Sequence, residues 1–155
     1  MTPTNLLKSL AAEVSDATKN LRLPIEYMDE ETDEHLVKVN VFTQYLPADL
    51  FEVTTYFPCV SVELLSIRDN LREGSTAEVA LSCGVYAKEE DGWQDAFHLM
   101  ELIRQRLLTR RTIAQKFRLM NELITSFPDE QPTPFFFIYL NAEYQLFLPQ
   151  EELEF

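Results

Sequence analysis

Two stretches constrain the fold of this chain more than any other feature. Over 76–88, Val79, Leu81, Cys83 and Val85 alternate with small or polar residues. Over 135–148, Ile138, Leu140, Ala142, Tyr144, Leu146 and Leu148 alternate with Phe137, Tyr139, Asn141, Glu143, Gln145 and Phe147. Side chains on a strand point alternately to opposite faces, so a period of two predicts long strands with one face buried. The segment 59–67 repeats the pattern with Val60, Val62 and Leu64. Only a polar turn over 69–75 separates it from 76–88, which predicts an antiparallel hairpin. Val37, Val39 and Val41 alternating with Lys38 and Asn40, and the segment 116–124, bring the strands to about five.

Two other stretches have helical spacing. Leu6, Leu7, Leu10, Ala11, Val14 and Leu21 form the first stripe, with Thr4 placed to cap it and Pro24 to end it. Trp93, Ala96, Phe97, Met100, Ile103 and Leu107 form the second, with Asp91 as its cap, Gln94 as capping-box partner and an end near Thr109. The order α–β–β–β–α–β–β has connections too short for parallel crossovers. It predicts an α+β fold: a mostly antiparallel sheet of about five strands with two main helices on one face. At 155 residues and 46% hydrophobic, the chain reads as a single domain, 1–155. Residues 1–34 supply a helix and an acidic connection, 45–58 an irregular loop with the aromatics Tyr45, Phe51, Tyr56 and Phe57, and 149–155 an acidic tail.

Chemistry-bearing motifs are scarce. Three isolated glycines leave no Gly-rich phosphate loop. His35 and His98 sit in no nucleophile motif, and no paired acid and base stands out, so the expectation is a protein that is not an enzyme and needs no cofactor. Two Cys and two His do not close a structural zinc site alone. Asp29, Glu30, Glu31, Asp33 and Glu34 lack EF-hand spacing and read as a solvated run that associates at most weakly with Mg²⁺ or Ca²⁺. Cys59 and Cys83 read as buried reduced thiols, able to bridge only if their strands are neighbours. No apolar run reaches the roughly 20 residues of a membrane span, so no membrane partner is expected.

Charge says more. There are 26 Asp+Glu against 13 Lys+Arg, a net charge of −13, which disfavours a nucleic-acid binder. Yet Arg104, Arg106, Arg110, Arg111, Lys116 and Arg118 place six of the 13 cations within one 15-residue stretch, and after Arg118 only carboxylates remain. A basic patch on an acidic molecule fits head-to-tail self-association, which closes into a ring if the rotation permits. The consecutive Phe135, Phe136 and Phe137 must divide between the two faces of a strand. Phe135 and Phe137 therefore join the six cations as candidate subunit-interface residues.

One family shares this plan. Phe57-Pro58-Cys59-Val60-Ser61-Val62, the strand ending Val85-Tyr86-Ala87, and the helix start Asp91-Gly92-Trp93-Gln94-Asp95 resemble the tail terminator (tail completion) proteins of tailed bacteriophages. So does Asp129-Glu130-Gln131-Pro132-Thr133-Pro134-Phe135 ahead of the last strand, and the likeness runs over about 46–148. The resemblance implies a structural virion protein that forms a sixfold ring on the tail and resides in host cytoplasm during assembly. Its partners would be itself, the tail tube protein and a head-completion or connector protein. DNA would pass through an acidic lumen without specific binding, because like charge keeps the duplex off the wall. The alternative is an acidic DNA-mimic or inhibitor that occupies a partner's basic surface.

Overall fold

The alternating stretches become the two central strands of a six-stranded sheet. The computed structural model describes residues 2–24, 36–44, 56–86, 92–132 and 134–154. In chain order the elements are α1 (Pro3–Thr18), β1 (Arg22–Pro24), β2 (Leu36–Lys38), β3 (Asn40–Thr43), β4 (Cys59–Asn70), β5 (Gly74–Tyr86), α2 (Trp93–Thr109), β6 (Thr112–Ile113), β7 (Phe117–Ser126) and β8 (Phe135–Leu146). The main sheet runs β3-β4-β5-β8-β7-β6, and β1 with β2 forms a separate two-stranded sheet. Every pairing is antiparallel except β3 with β4, which is parallel. The fold is α+β and its main sheet is mostly antiparallel, with six strands rather than about five and one parallel pairing.

Two local causes account for that difference. The valine-rich stretch around 37–41 serves two sheets: Val37 pairs with Leu23 in the small sheet, and Val41 pairs with Val60 in the large one. β6 is two residues long, too short to display alternation. β8 stops at Leu146, opposite Ser75 near the start of β5, rather than at Leu148.

α1 begins one step earlier than its stripe suggests. Thr2, not Thr4, is the cap: its Oγ1 accepts from the Asn5 N–H at 3.2 Å. Pro3 follows at the first helical position, where its fixed φ suits a helix start. The helix ends at Thr18, whose hydroxyl donates to the Val14 carbonyl at 2.8 Å. Leu21 and Pro24 thus fall outside it, Pro24 within β1. At the β4–β5 turn, Asn70 Oδ1 accepts from the N–H groups of Arg72 and Glu73, both at 2.9 Å. Gly74 leaves that turn with φ 98°, a conformation glycine adopts without a Cβ clash.

Register sorts the side chains between two faces. Val60, Cys83 and Ile138 align across β4, β5 and β8, as do Val62, Leu81 and Leu140. With Leu6, Leu10 and Val14 of α1 and Ala96, Leu99, Ile103 and Leu107 of α2 they form one buried cluster, so both helices cover the same face. Tyr144 lies in that core with no exposed surface, and its hydroxyl has no hydrogen-bond partner among the described residues. On the opposite face Phe57 covers Gly84 and meets Phe135 and Phe137 at centroid distances of 4.6 and 5.6 Å. Phe57 is accordingly buried, not an exposed loop aromatic, and Tyr56 is half-buried. Tyr45, Phe51 and Asp91 lie outside the described residues, and the cap of α2 is Gly92, with no side-chain capping hydrogen bond, rather than Asp91.

Candidate interaction surfaces

Start with the six cations. α2 carries Arg104 and Arg106, Arg110 follows its last turn, and the β6–β7 hairpin holds Lys116 and Arg118. They do not form one free patch. Arg106 Nη1 donates to Glu13 at 3.2 Å and Asp16 at 2.8 Å, tying the ends of the two helices together. That contact, with help from Lys19, holds the Asp16 carboxyl below its usual range. Arg110 reaches Glu13 at 3.5 Å, and Arg104 pairs with Glu101 at 3.1 Å one turn back on its own helix. Arg111 donates to the Leu108 carbonyl at 2.9 Å and stays exposed. Lys116 and Arg118 are exposed too, and none of these last three forms an ion pair among the described residues. The available basic site is therefore Arg111, Lys116 and Arg118. The internal use of Arg106 depends on α1 lying beside α2, a tertiary fact with no local signature.

The phenylalanine triplet divides as strand geometry requires. Phe136 packs toward the helix-covered core, while Phe135 and Phe137 lie half-buried on the opposite face with Phe57 and Tyr86. A second aromatic group was not legible in the sequence. Trp93 stacks edge-on with Phe97 at 5.1 Å, and Phe97 meets Phe127 at 5.3 Å. Trp93 and Phe97 do not pack on the sheet; Phe97 is 40% exposed, and the buried stripe of α2 is Ala96, Leu99, Met100, Ile103 and Leu107. Ala96, Met100, Ile103 and Leu107 of the expected stripe stay inward, Leu99 joins them, and Trp93 and Phe97 fall at the border.

No described helix covers the second sheet face. At its β4–β5 hairpin end, Glu78 stands directly opposite Glu143, a like-charge pair that repels. Ser66 Oγ donates to Glu78 at 3.4 Å and Asn121 Nδ2 to Glu143 at 2.6 Å. Glu122 and Arg68 line the same shallow depression. Each of these carboxylates occupies a polar slot of an alternating strand, the one signal that could have located the depression. Asn121 reaches Glu143 from a bulge in β7, with φ 55°.

The remaining reactive groups are placed as follows. Cys59 pairs with Gly84 and Cys83 with Val60, so the two thiols occupy adjacent registers and opposite faces. They are free and buried, and burial pushes both up to about 12, leaving them protonated and inert at neutral pH. His98 is exposed on α2, while His35 and the acidic run 29–34 lie outside the described residues. Among the described residues no group of three His, Cys, Asp or Glu side chains is placed to hold a metal ion, and no helix is long and apolar enough to cross a membrane. No protein-family model matches the chain, and no curated protein matches it in sequence.

Proposed function

We propose that this chain is a structural subunit that associates head to tail into a closed ring, and that the ring is a phage tail terminator. The observation that carries the reading is the clustering of surface charge by sign. Arg111, Lys116 and Arg118, without ion pairs among the described residues, stand on and just before the β6–β7 hairpin, while a depression on the sheet face left open by the described helices gathers Glu78, Glu122 and Glu143 around Arg68. Two unlike surfaces on one subunit make a heterologous contact, and a heterologous contact repeated with the right rotation closes. The likeness of the 57–62, 91–95 and 129–135 segments to tail terminators adds the context: a ring that caps the tail tube and offers a surface to the head. A net charge of −13 suits the wall of a channel through which DNA passes. Negative-stain electron microscopy of the purified protein tests the ring. Annular particles of uniform diameter are expected. Single subunits alone, as an acidic decoy of a basic partner would give, or open filaments, refute it.

A further inference from the structure

One edge of the main sheet is only partly closed. β6 pairs with β7 at Thr112–Arg118 and Ile113–Phe117, and just before it the Arg111 carbonyl accepts from the Leu119 N–H at 2.7 Å. Along Met120 to Ser126, β7 has β8 on one side and no strand on the other among the described residues. An open edge of that kind offers unpaired backbone groups to an added strand. Arg111, Lys116 and Arg118 stand at its base, exposed and without ion pairs among the described residues.

The segment that follows β8 has the complementary features. Residues 147–154 form neither helix nor strand, and Phe147 and Leu153 are 63% and 66% exposed. Glu151, Glu152 and Glu154 are exposed and likewise form no ion pair among the described residues. The segment leaves the sheet close to the start of β7, since Tyr144 pairs with Leu119, yet it does not turn onto the cations of its own subunit. Extended, residues 147–148 span about 7 Å and 149–154 about 20 Å more, so the edge of a neighbour packed beside the end of β8 is within reach.

We propose that residues 149–154 of one copy dock along the open edge of β7 in a second copy. There Glu151, Glu152 and Glu154 meet Arg111, Lys116 and Arg118, and Leu153 leaves water. The contact joins two different surfaces, so it builds the same head-to-tail chain of subunits as the ring. It rests on the self-association reading and names the pieces that make it.

A chain ending at Leu148 and a fluorescein-labelled peptide of residues 147–154 test the docking by fluorescence anisotropy. The peptide should saturate the shortened chain. Arg111→Glu with Lys116→Glu and Arg118→Glu should weaken that binding at least about tenfold, the scale of three surface ion pairs. Circular dichroism checks that the triple variant folds; if it does not, Lys116→Gln with Arg118→Gln serves instead. The shortened chain should also lose the assembly that the full chain shows in light scattering. Absent peptide binding, or binding that ignores the charge reversal, overturns the proposal. If the shortened chain assembles like the full one and binds no peptide, the arm alone is overturned and self-association stands. If the full chain is monomeric, self-association and docking on a second copy fall together.

Discussion

Gly84 is where the two faces of the sheet make the sharpest demand on a single residue. A Cβ there would meet Phe57 Cε1 at 2.5 Å and Phe137 Cε1 at 2.9 Å. The two rings pack against each other, and Phe135 packs against Phe57 as well, so Phe57 cannot simply swing away. Gly84→Ala should therefore destabilise the protein by about 1–3 kcal/mol, the usual cost of overpacking. Urea denaturation checks this; an unchanged midpoint would mean that Phe57 is not seated as described. The two thiols give a second residue-level test. Their folded pKa values lie above the ordinary value of 9.0, so the stability they confer is complete below pH 9 and is lost as pH rises toward 12. Once the unfolded thiols ionise, the slope approaches about 1.4 kcal/mol per pH unit for each. Cys83→Ala should remove close to half of the loss measured between about pH 8.5 and pH 9.5, where Tyr144, also raised by burial from its ordinary value of 10.0, still contributes little. A variant with the full slope would show that the thiols do not carry it.

At the scale of elements, helices and strands differed in how much of them could be read from local pattern. The period-two runs located β5 and β8 because each buries one whole face, which a slip of one residue would turn outward, whereas β4 is buried on both faces over Cys59 to Val62 and exposed from Leu65 to Asp69. The amphipathic runs located α1 and α2 and most of the inward stripe of α2, but placed Trp93 and Phe97 inside it and left Leu99 out. Trp93 and Phe97 carry more apolar surface than Leu99, yet the core at that helix takes Leu99 and Ile103. An aromatic at a helix border can lie along the surface with its neighbours, as Phe97 does with Trp93 and Phe127. Substitution separates the two assignments. Leu99→Ala should cost about 2–5 kcal/mol, the range for a fully buried leucine. Phe97→Ala should cost well under half of that. Equal losses would return Phe97 to the core. The basic cluster was legible as composition only. Which cations are spent inside the fold depends on Glu13 and Asp16, about 90 positions earlier in the chain, and no local pattern carries that information.

At the scale of the whole molecule, two charge effects of different range compete. A net charge of −13 makes subunits repel one another at a distance, whereas Arg111, Lys116 and Arg118 can attract only at contact and in one orientation. At about 0.15 M salt the screening length is about 8 Å, so the long-range repulsion fades before close ion pairs do. Association should therefore strengthen from low to moderate salt and weaken again when the contact pairs are screened. Arg110 and Arg104 are poorer handles, because each already has a carboxylate partner in its own subunit. The direct test is sedimentation velocity of the wild type and of the Arg111→Glu, Lys116→Glu, Arg118→Glu variant across a salt series. The account predicts one discrete oligomer for the wild type at moderate salt and a folded monomer for the variant throughout. A wild type that stays monomeric at every salt and concentration, or a variant that assembles equally well, would contradict it.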